Sequence, residues 1–295
     1  MKRILTIQDI SCIGKCSLTV ALPVISAMGV EAAILPTAVL STHTAFPGFT
    51  FHDLTAEMEP ITAHWQSQGL GFDGIYTGYL GSFEQIHLVR RIIEQFRAPG
   101  QFVLVDPAMG DNGALYTGFD AAFAREMAGL VAVSDLCMPN LTEACAMLDL
   151  PYQASGDEAF YRRLLEGLCG LGAKYAVLTG VSLQPGRLGV MGMAQRDGAV
   201  FHYDMPRLPA ACHGTGDIFA SVCAGAMARG IALPEALRLA HDFTAESIRR
   251  TLADPAHRWY GVNFEEAMPF LLARLQSLTS CEGCPAPDAG AATAP

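Results

Sequence analysis

The sequence has 295 residues, 51% of them hydrophobic and 16% charged, which is enough apolar material to bury a sizeable core and makes disorder a poor default. Its 19 basic side chains against 29 acidic ones leave a formal net charge of −10, so broad electrostatic attraction to nucleic acid or to an anionic membrane surface is not expected. A polyanionic ligand would need a local device.

Taken in chain order, Met1-Lys2-Arg3 leads into a short apolar run with no small-residue cleavage site, which reads as a first strand from Arg3 to Gln8 rather than a targeting segment. The next apolar stretch, Ser17 to Val30, contains Pro23 and is too short to cross a membrane. Its periodicity predicts a helix from Ser17 to Met28. Strands are predicted at Ala32 to Pro36, Gly74 to Gly78, Phe102 to Asp106, Leu136 to Pro139 and Tyr175 to Thr179. Helical patterns fall between and after them, at Phe83 to Phe96, Phe119 to Val131, Thr142 to Leu148 and Asp157 to Leu171. At Leu188 to Met193 and Val200 to Tyr203 the pattern becomes strand, turn, strand around Asp197-Gly198. Helices resume at Gly216 to Arg229, Leu233 to Leu252 and Phe264 to Leu275.

Strands alternating with helices predict an α/β fold with a mainly parallel central sheet and an antiparallel edge hairpin. No repeat or linker interrupts residues 1–278, which are expected to form one domain; residues 279–295 lose all apolar pattern and are expected to be a disordered tail. The Cys281-x-x-Cys284 pair in that tail has no second pair at zinc-site spacing. The nine cysteines are odd in number and mostly lie in apolar stretches, which favours reduced thiols and a cytoplasmic setting.

Chemistry concentrates in three places. Cys212-His213-Gly214-Thr215-Gly216-Asp217 is a glycine-rich turn running straight into a small-residue helix, where unpaired N–H groups and the helix dipole can hold an anion without lysine. Asp217 beside such a pocket is either a base that takes a proton from an attacking hydroxyl or a carboxylate satisfying the helix's first N–H groups. Asp106 stands at the carboxyl end of a buried strand, where ligands of open α/β sheets bind, and Pro139-Asn140-Leu141-Thr142-Glu143 repeats the arrangement one unit later. Oxygen ligands spread over neighbouring strand ends suit Mg²⁺. Gly14-Lys15 does not complete a Walker loop, since Asp9 replaces its first glycine and Cys16 its Ser or Thr; a dinucleotide fingerprint fails for want of glycines. With lysine only at positions 2, 15 and 174, phosphate would be held mainly by backbone, metal or arginine.

Gly78-Tyr79-Leu80-Gly81, Asp106-Pro107-Ala108-Met109-Gly110, Pro139-Asn140-Leu141-Thr142-Glu143 and Gly214-Thr215-Gly216-Asp217 together resemble, in order, the ribokinase superfamily and within it the pyridoxal kinase branch. The resemblance implies a ribokinase-like three-layer sandwich with helices on both faces of the sheet, and a homodimer. It also implies an ATP-dependent, Mg²⁺-requiring kinase that phosphorylates the 5′-hydroxyl of a vitamin B6 vitamer. It assigns the catalytic base to Asp217 and an anion hole to Gly214, Thr215 and Gly216. Nucleotide binding falls to Asp106, Asn140, Glu143 and Thr179, with Asp106 and Glu143 holding Mg²⁺ through water. Substrate binding falls to Thr42 and His43 in Leu40-Ser41-Thr42-His43-Thr44 and to Tyr79.

One departure concerns the first strand, where this branch commonly carries Ile-Gln-Ser and the present chain reads Ile7-Gln8-Asp9-Ile10-Ser11. Either Asp9 or Ser11 then faces the substrate. His43 is hydrogen-bonded within its loop or touches substrate, and Phe46, Phe49 and Phe51 cover a ring or seal a core. Two alternatives stay open: a hydroxymethylpyrimidine kinase of thiamine synthesis, and a catalytically silent binding protein of the same fold.

Overall fold

The computed structural model describes residues 1–209 and 212–280; Cys281 and Cys284, and the expected tail beyond Ser280, lie outside the described residues. Its main sheet has nine strands: β1 (Arg3–Ser11), β2 (Glu31–Leu40), β3 (Phe51–Asp53), β4 (Gly74–Thr77), β5 (Phe102–Val105), β8 (Leu136–Cys137), β9 (Tyr175–Val181), β10 (Arg187–Ala194) and β11 (Val200–Pro206). Their order across the sheet is β11-β10-β9-β8-β5-β4-β1-β2-β3. The pairs from β2 through β9 are parallel, whereas β10 and β11 form the expected antiparallel edge and β3 a second one.

Alternate strand residues feed two cores, as a sheet covered on both faces requires. Leu5, Ile7, Ile75, Val103 and Val105 pack beneath α2 (Thr55–Ser67), α3 (Phe83–Phe96), α4 (Ala121–Val131), α5 (Leu141–Met147) and α6 (Glu158–Leu171). Ile4, Tyr76, Leu104 and Val177 pack beneath α1 (Leu18–Ala27), α7 (Thr215–Ala228), α8 (Leu233–Ala253) and α9 (Phe264–Ser280). The chain leaves β1 for β2 on one side and returns to β4 on the other. That reversal of strand order opens a crevice at the carboxyl ends of β1 and β4, the place where doubly wound sheets bind ligands.

Three regions depart from expectation. Helix α2 and the short β3 occupy a stretch with no clear period, because α2 carries Pro60 and buries only Met58 and Thr62. A two-stranded hairpin, β6 (Gly110–Asp111) and β7 (Ala114–Leu115), follows Asp106 and turns on Asn112 and Gly113, both left-handed at φ 50° and 83°. Asn-Gly is the dipeptide that such tight turns favour. Strand β1 runs on to Ser11, with its register against β2 shifting between Gln8 and Ile10, so Asp9 sits at an irregularity rather than past the strand's end. No helix among the described residues is long and apolar enough to cross a membrane.

Candidate active site

The crevice gathers the loop after β1, the turn before α7, and the ends of β5 and β8. Asp9 is buried at 3% exposure, and its carboxylate accepts the Ser11 hydroxyl at 2.9 Å as well as the Ser17 hydroxyl. Burial raises its pKa and the two hydroxyls partly offset that. Ser11 is thus bonded to Asp9 and does not stand apart from it.

Gly214 is the N-cap of α7, in the left-handed region at φ 77°, and no side chain caps the helix. A β-carbon there would strike the Lys15 carbonyl, so the turn needs glycine for both its backbone angle and its space. Three residues on, the Asp217 carboxylate receives the Ser17 N–H from a different segment. Burial pushes Asp217 up to about 7, the Ser17 bond lowers it, and the charge of Asp9 raises it further. Cys16 feels both carboxylates: burial, then Asp217, then Asp9 push its thiol up.

Asp106 has 9% exposure, and burial, then Glu143 and Asp217, hold its carboxyl well above the usual carboxylate range. Glu143 reaches back to two main-chain donors, taking the Met109 N–H at 3.1 Å on one oxygen and the Asn140 N–H at 2.8 Å on the other. Asn140 returns the favour by capping α5 at Glu143 N–H, 3.0 Å, and its amide donates to the Gly110 carbonyl at 2.8 Å. This capping box therefore stitches the loop after Asp106 to the helix after β8. Burial lifts Glu143 to about 8 despite those bonds. Tyr116 is 41% exposed as a residue, but its hydroxyl stands near Glu143 and Asp217, where local desolvation and those charges push it up. Thr179 on β9 is half-buried, with its N–H on the Pro139 carbonyl at 3.1 Å. Among the described residues none of Asp9, Asp106, Glu143 and Asp217 forms a salt bridge.

Carboxylates without cationic partners have a measurable consequence. The folded chain holds Asp217 and Glu143 above their ordinary 3.8 and 4.5, so it binds more protons there than the unfolded chain does. The stabilisation is full below those ordinary values and is lost as pH rises through about 7 and about 8. Melting of the ligand-free chain should therefore move to lower temperature as pH is raised across that window. A melting temperature that climbs instead would mean that cationic partners compensate these groups.

On the substrate-side segments, the Ala45 N–H donates to His43 Nδ1 at 3.1 Å, which leaves Nε2–H to donate to the Tyr260 carbonyl at 3.1 Å. Both ring nitrogens are thus engaged by main chain, in the neutral form that burial favours. Around the ring stand Phe46 at 5.0 Å, His213 at 5.0 Å and Trp259 at 5.8 Å, and Phe46 lies 4.5 Å from Trp259. Phe49 and Phe51 are instead exposed. The Thr42 hydroxyl is buried without a partner in the protein. Tyr79 packs on Phe119 at 5.7 Å, and burial and Asp9 push its hydroxyl up to about 12. A cavity of about 240 Å³ opens beside the turn, lined by Cys212, Thr251, His257, Arg258, Trp259 and Gly261.

The structure brings Asp9, Asp106, Glu143 and Asp217 into one electrostatic group, with Tyr79 beside Asp9. It sets His43 and Asn140 in structural bonds at its rim. Sequence reasoning gave Tyr116 and Trp259 no role, met Lys15 and Cys16 only as a failed Walker loop, and met Ser17 only as a helix start. Ser17 ahead of an apolar run was a visible helix-start signal, but nothing local tells that its N–H serves Asp217.

A family model described as phosphomethylpyrimidine kinase matches residues 20–258. A pyridoxine/pyridoxal/pyridoxamine kinase of Bordetella avium (strain 197N) is 27% identical over 269 residues, covering 86% of this chain and 87% of that protein. A Bacteroides thetaiotaomicron protein, described provisionally as a phosphomethylpyrimidine kinase and crystallised with pyridoxal, superposes at a TM-score of 0.87 and 40% identity, over 92% of this chain and 95% of that one. Pyridoxal kinase from Lactobacillus plantarum superposes at 0.84 and 33% identity, over 92% and 97%.

Proposed function

Since the chain belongs to the phosphomethylpyrimidine kinase family, in the pyridoxal kinase branch of the ribokinase-like superfamily, we propose that it transfers the γ-phosphoryl group of ATP to the 5′-hydroxyl of a vitamin B6 vitamer. Phosphoryl transfer to an alcohol follows from membership; the acceptor is the finer reading. The observation that carries it is the position of Asp217, a carboxylate three residues into α7, behind a left-handed glycine turn and within reach of the Asp9 charge. It takes the hydroxyl proton as the oxygen attacks phosphorus and ADP leaves, while the N–H groups of Gly214, Thr215 and Gly216 face the charge on the transferred group. The cavity beside Trp259 would take the nucleotide base, and Thr179 would face the nucleotide from β9.

No group of three His, Cys, Asp or Glu side chains among the described residues is arranged to ligate a metal directly. Asp106 and Glu143, buried and without cationic partners, nevertheless fit a hydrated Mg²⁺ held through water, which is how that ion commonly binds. When bound, it would neutralise phosphate charge.

Asp9 supports a pyridine-type acceptor, because a buried carboxylate backed by two serine hydroxyls offers a charged acceptor to a ring N–H or amine. The family description also supports a hydroxymethylpyrimidine as acceptor, and a silent binding protein is the remaining alternative. One experiment separates them: ADP release measured side by side with pyridoxal, pyridoxamine, pyridoxine, hydroxymethylpyrimidine and ribose. Turnover with a B6 vitamer well above the pyrimidine is expected; the reverse ranking, or none, overturns the reading. In the same assay Asp9→Ala should raise the vitamer KM by about 10-fold or more, the worth of a charged hydrogen bond. The KM for ATP should barely move, and an equal loss for both substrates would place Asp9 away from the acceptor.

A further inference from the structure

Lys15 fails as a phosphate-loop lysine, and the structure gives it other work. Its ammonium donates to the Val262 carbonyl at 3.1 Å, to Asn263 Oδ1 at 3.4 Å and to Glu265 Oε2 at 2.9 Å. Three donors meet three acceptors, so none is left over for a phosphate. These bonds tie the loop after β1 to the start of α9.

The tied loop is strained. Lys15 and Ser17, neither of them glycine, stand at φ 50° and 51°, and Gly14 is at φ 154°. Such angles persist only where the surroundings over-determine them. The surroundings do so here: Gly14 lies against the His43 ring, Gly261 lies against the Lys15 side chain, and the His43 N–H donates to the Ile13 carbonyl at 3.0 Å. What the strain achieves is visible on the other side of the loop. The Lys15 carbonyl lies under Gly214, and the Ser17 N–H is delivered to the Asp217 carboxylate.

We propose that Lys15 is a positioning residue for phosphoryl transfer: by bonding its ammonium to Val262, Asn263 and Glu265 it holds the Gly14–Ser17 loop in the shape that orients Asp217 and supports the Gly214 turn. The inference rests on reading Asp217 as the base. It predicts a larger effect on kcat than on either KM, since Lys15 itself offers no free donor to a substrate and reaches Asp9 only through Ser17 of the same loop.

The test is steady-state ADP release by the full chain carrying Lys15→Met, with Lys15→Arg, Glu265→Gln and the Lys15→Met/Asp217→Asn pair beside it, each normalised to folded protein by thermal melting. Lys15→Met should lower kcat by about 10- to 100-fold, the scale of a displaced catalytic group, with each KM within about 3-fold of the parent. Lys15→Arg, which keeps charge and donors, should recover most of the loss. Glu265→Gln should cost only a few-fold, because two acceptors remain. The double variant should lose less than the product of the two single losses, since part of what Lys15 does is done through that carboxylate and the rest through the Gly214 turn. Unchanged kcat in Lys15→Met, a loss confined to KM, a loss explained by unfolding, or full additivity with Asp217→Asn would each overturn the proposal. If Asp217→Asn alone stays active, it is the base reading that fails.

Discussion

Asp217→Asn is expected to lower kcat by roughly 10²- to 10⁴-fold, the range over which a positioned base acts, or about 3 to 5 kcal/mol of barrier. The change is nearly isosteric and should leave Gly214 at the N-cap and its N–H groups in place. Nucleotide affinity should hold or rise, because a carboxylate next to the transferred group repels the bound anion and the amide does not. A capping role predicts the reverse, with stability reduced by about 1 kcal/mol and turnover per folded molecule intact. The geometry serves both readings: the carboxylate meets its own N–H in the first turn of α7, yet the N-cap is Gly214 and the carboxylate also takes the Ser17 N–H from another segment. The sign of the pH dependence follows from the same site. A base with its pKa lifted to about 7 is protonated and idle below that value, so kcat of the parent enzyme should climb as pH rises through it. The asparagine variant should lose that limb along with its rate. Near-normal turnover in the folded variant would remove Asp217 from the mechanism.

The strands that set the crevice were legible because buried parallel strands are short β-branched runs ending where helices begin, as Phe102 to Asp106 is. The glycine turn was legible because a left-handed cap followed by small residues has a local signature. Helix α2 was not, since Pro60 and two buried side chains leave no apolar stripe to read. Asn112-Gly113 was readable as a turn and passed over, its strands being only two residues each. The site divides the same way. Asn140 and Glu143 stand at capping-box spacing, which the sequence displays, whereas the partners of Lys15 lie about 250 positions away. His43 meets Tyr260 and Trp259 across a similar separation. Contacts that distant are made by the sheet's crossovers, and no local pattern reports them. The positive φ values of Lys15 and Ser17 are likewise consequences of what surrounds the loop.

Gly214→Ala carries the second large effect, because it tests the turn without touching a charge. At φ 77° an alanine pays the left-handed penalty of about 1–2 kcal/mol. Its methyl group would also have to displace the Lys15 carbonyl, which is main chain and cannot swing aside as a flexible side chain would. Two ways of relieving the clash remain, and both reach the chemistry. If the turn gives way, the first N–H groups of α7 lose their aim at the transferred phosphoryl group; losing one such donor typically costs roughly 10²- to 10³-fold in kcat. If the Gly14–Ser17 loop gives way, Ser17 no longer delivers its N–H to Asp217, and the base loses the bond that lowers its pKa. The second route should move the acid limb of the kcat profile to higher pH, whereas the first should lower kcat at every pH. Either way the expected loss is about 100-fold or more, with a fall in stability of roughly 2–3 kcal/mol. Wild-type kcat in a folded Gly214→Ala chain would show that neither the turn's N–H groups nor its contact with Lys15 matters to the transfer step.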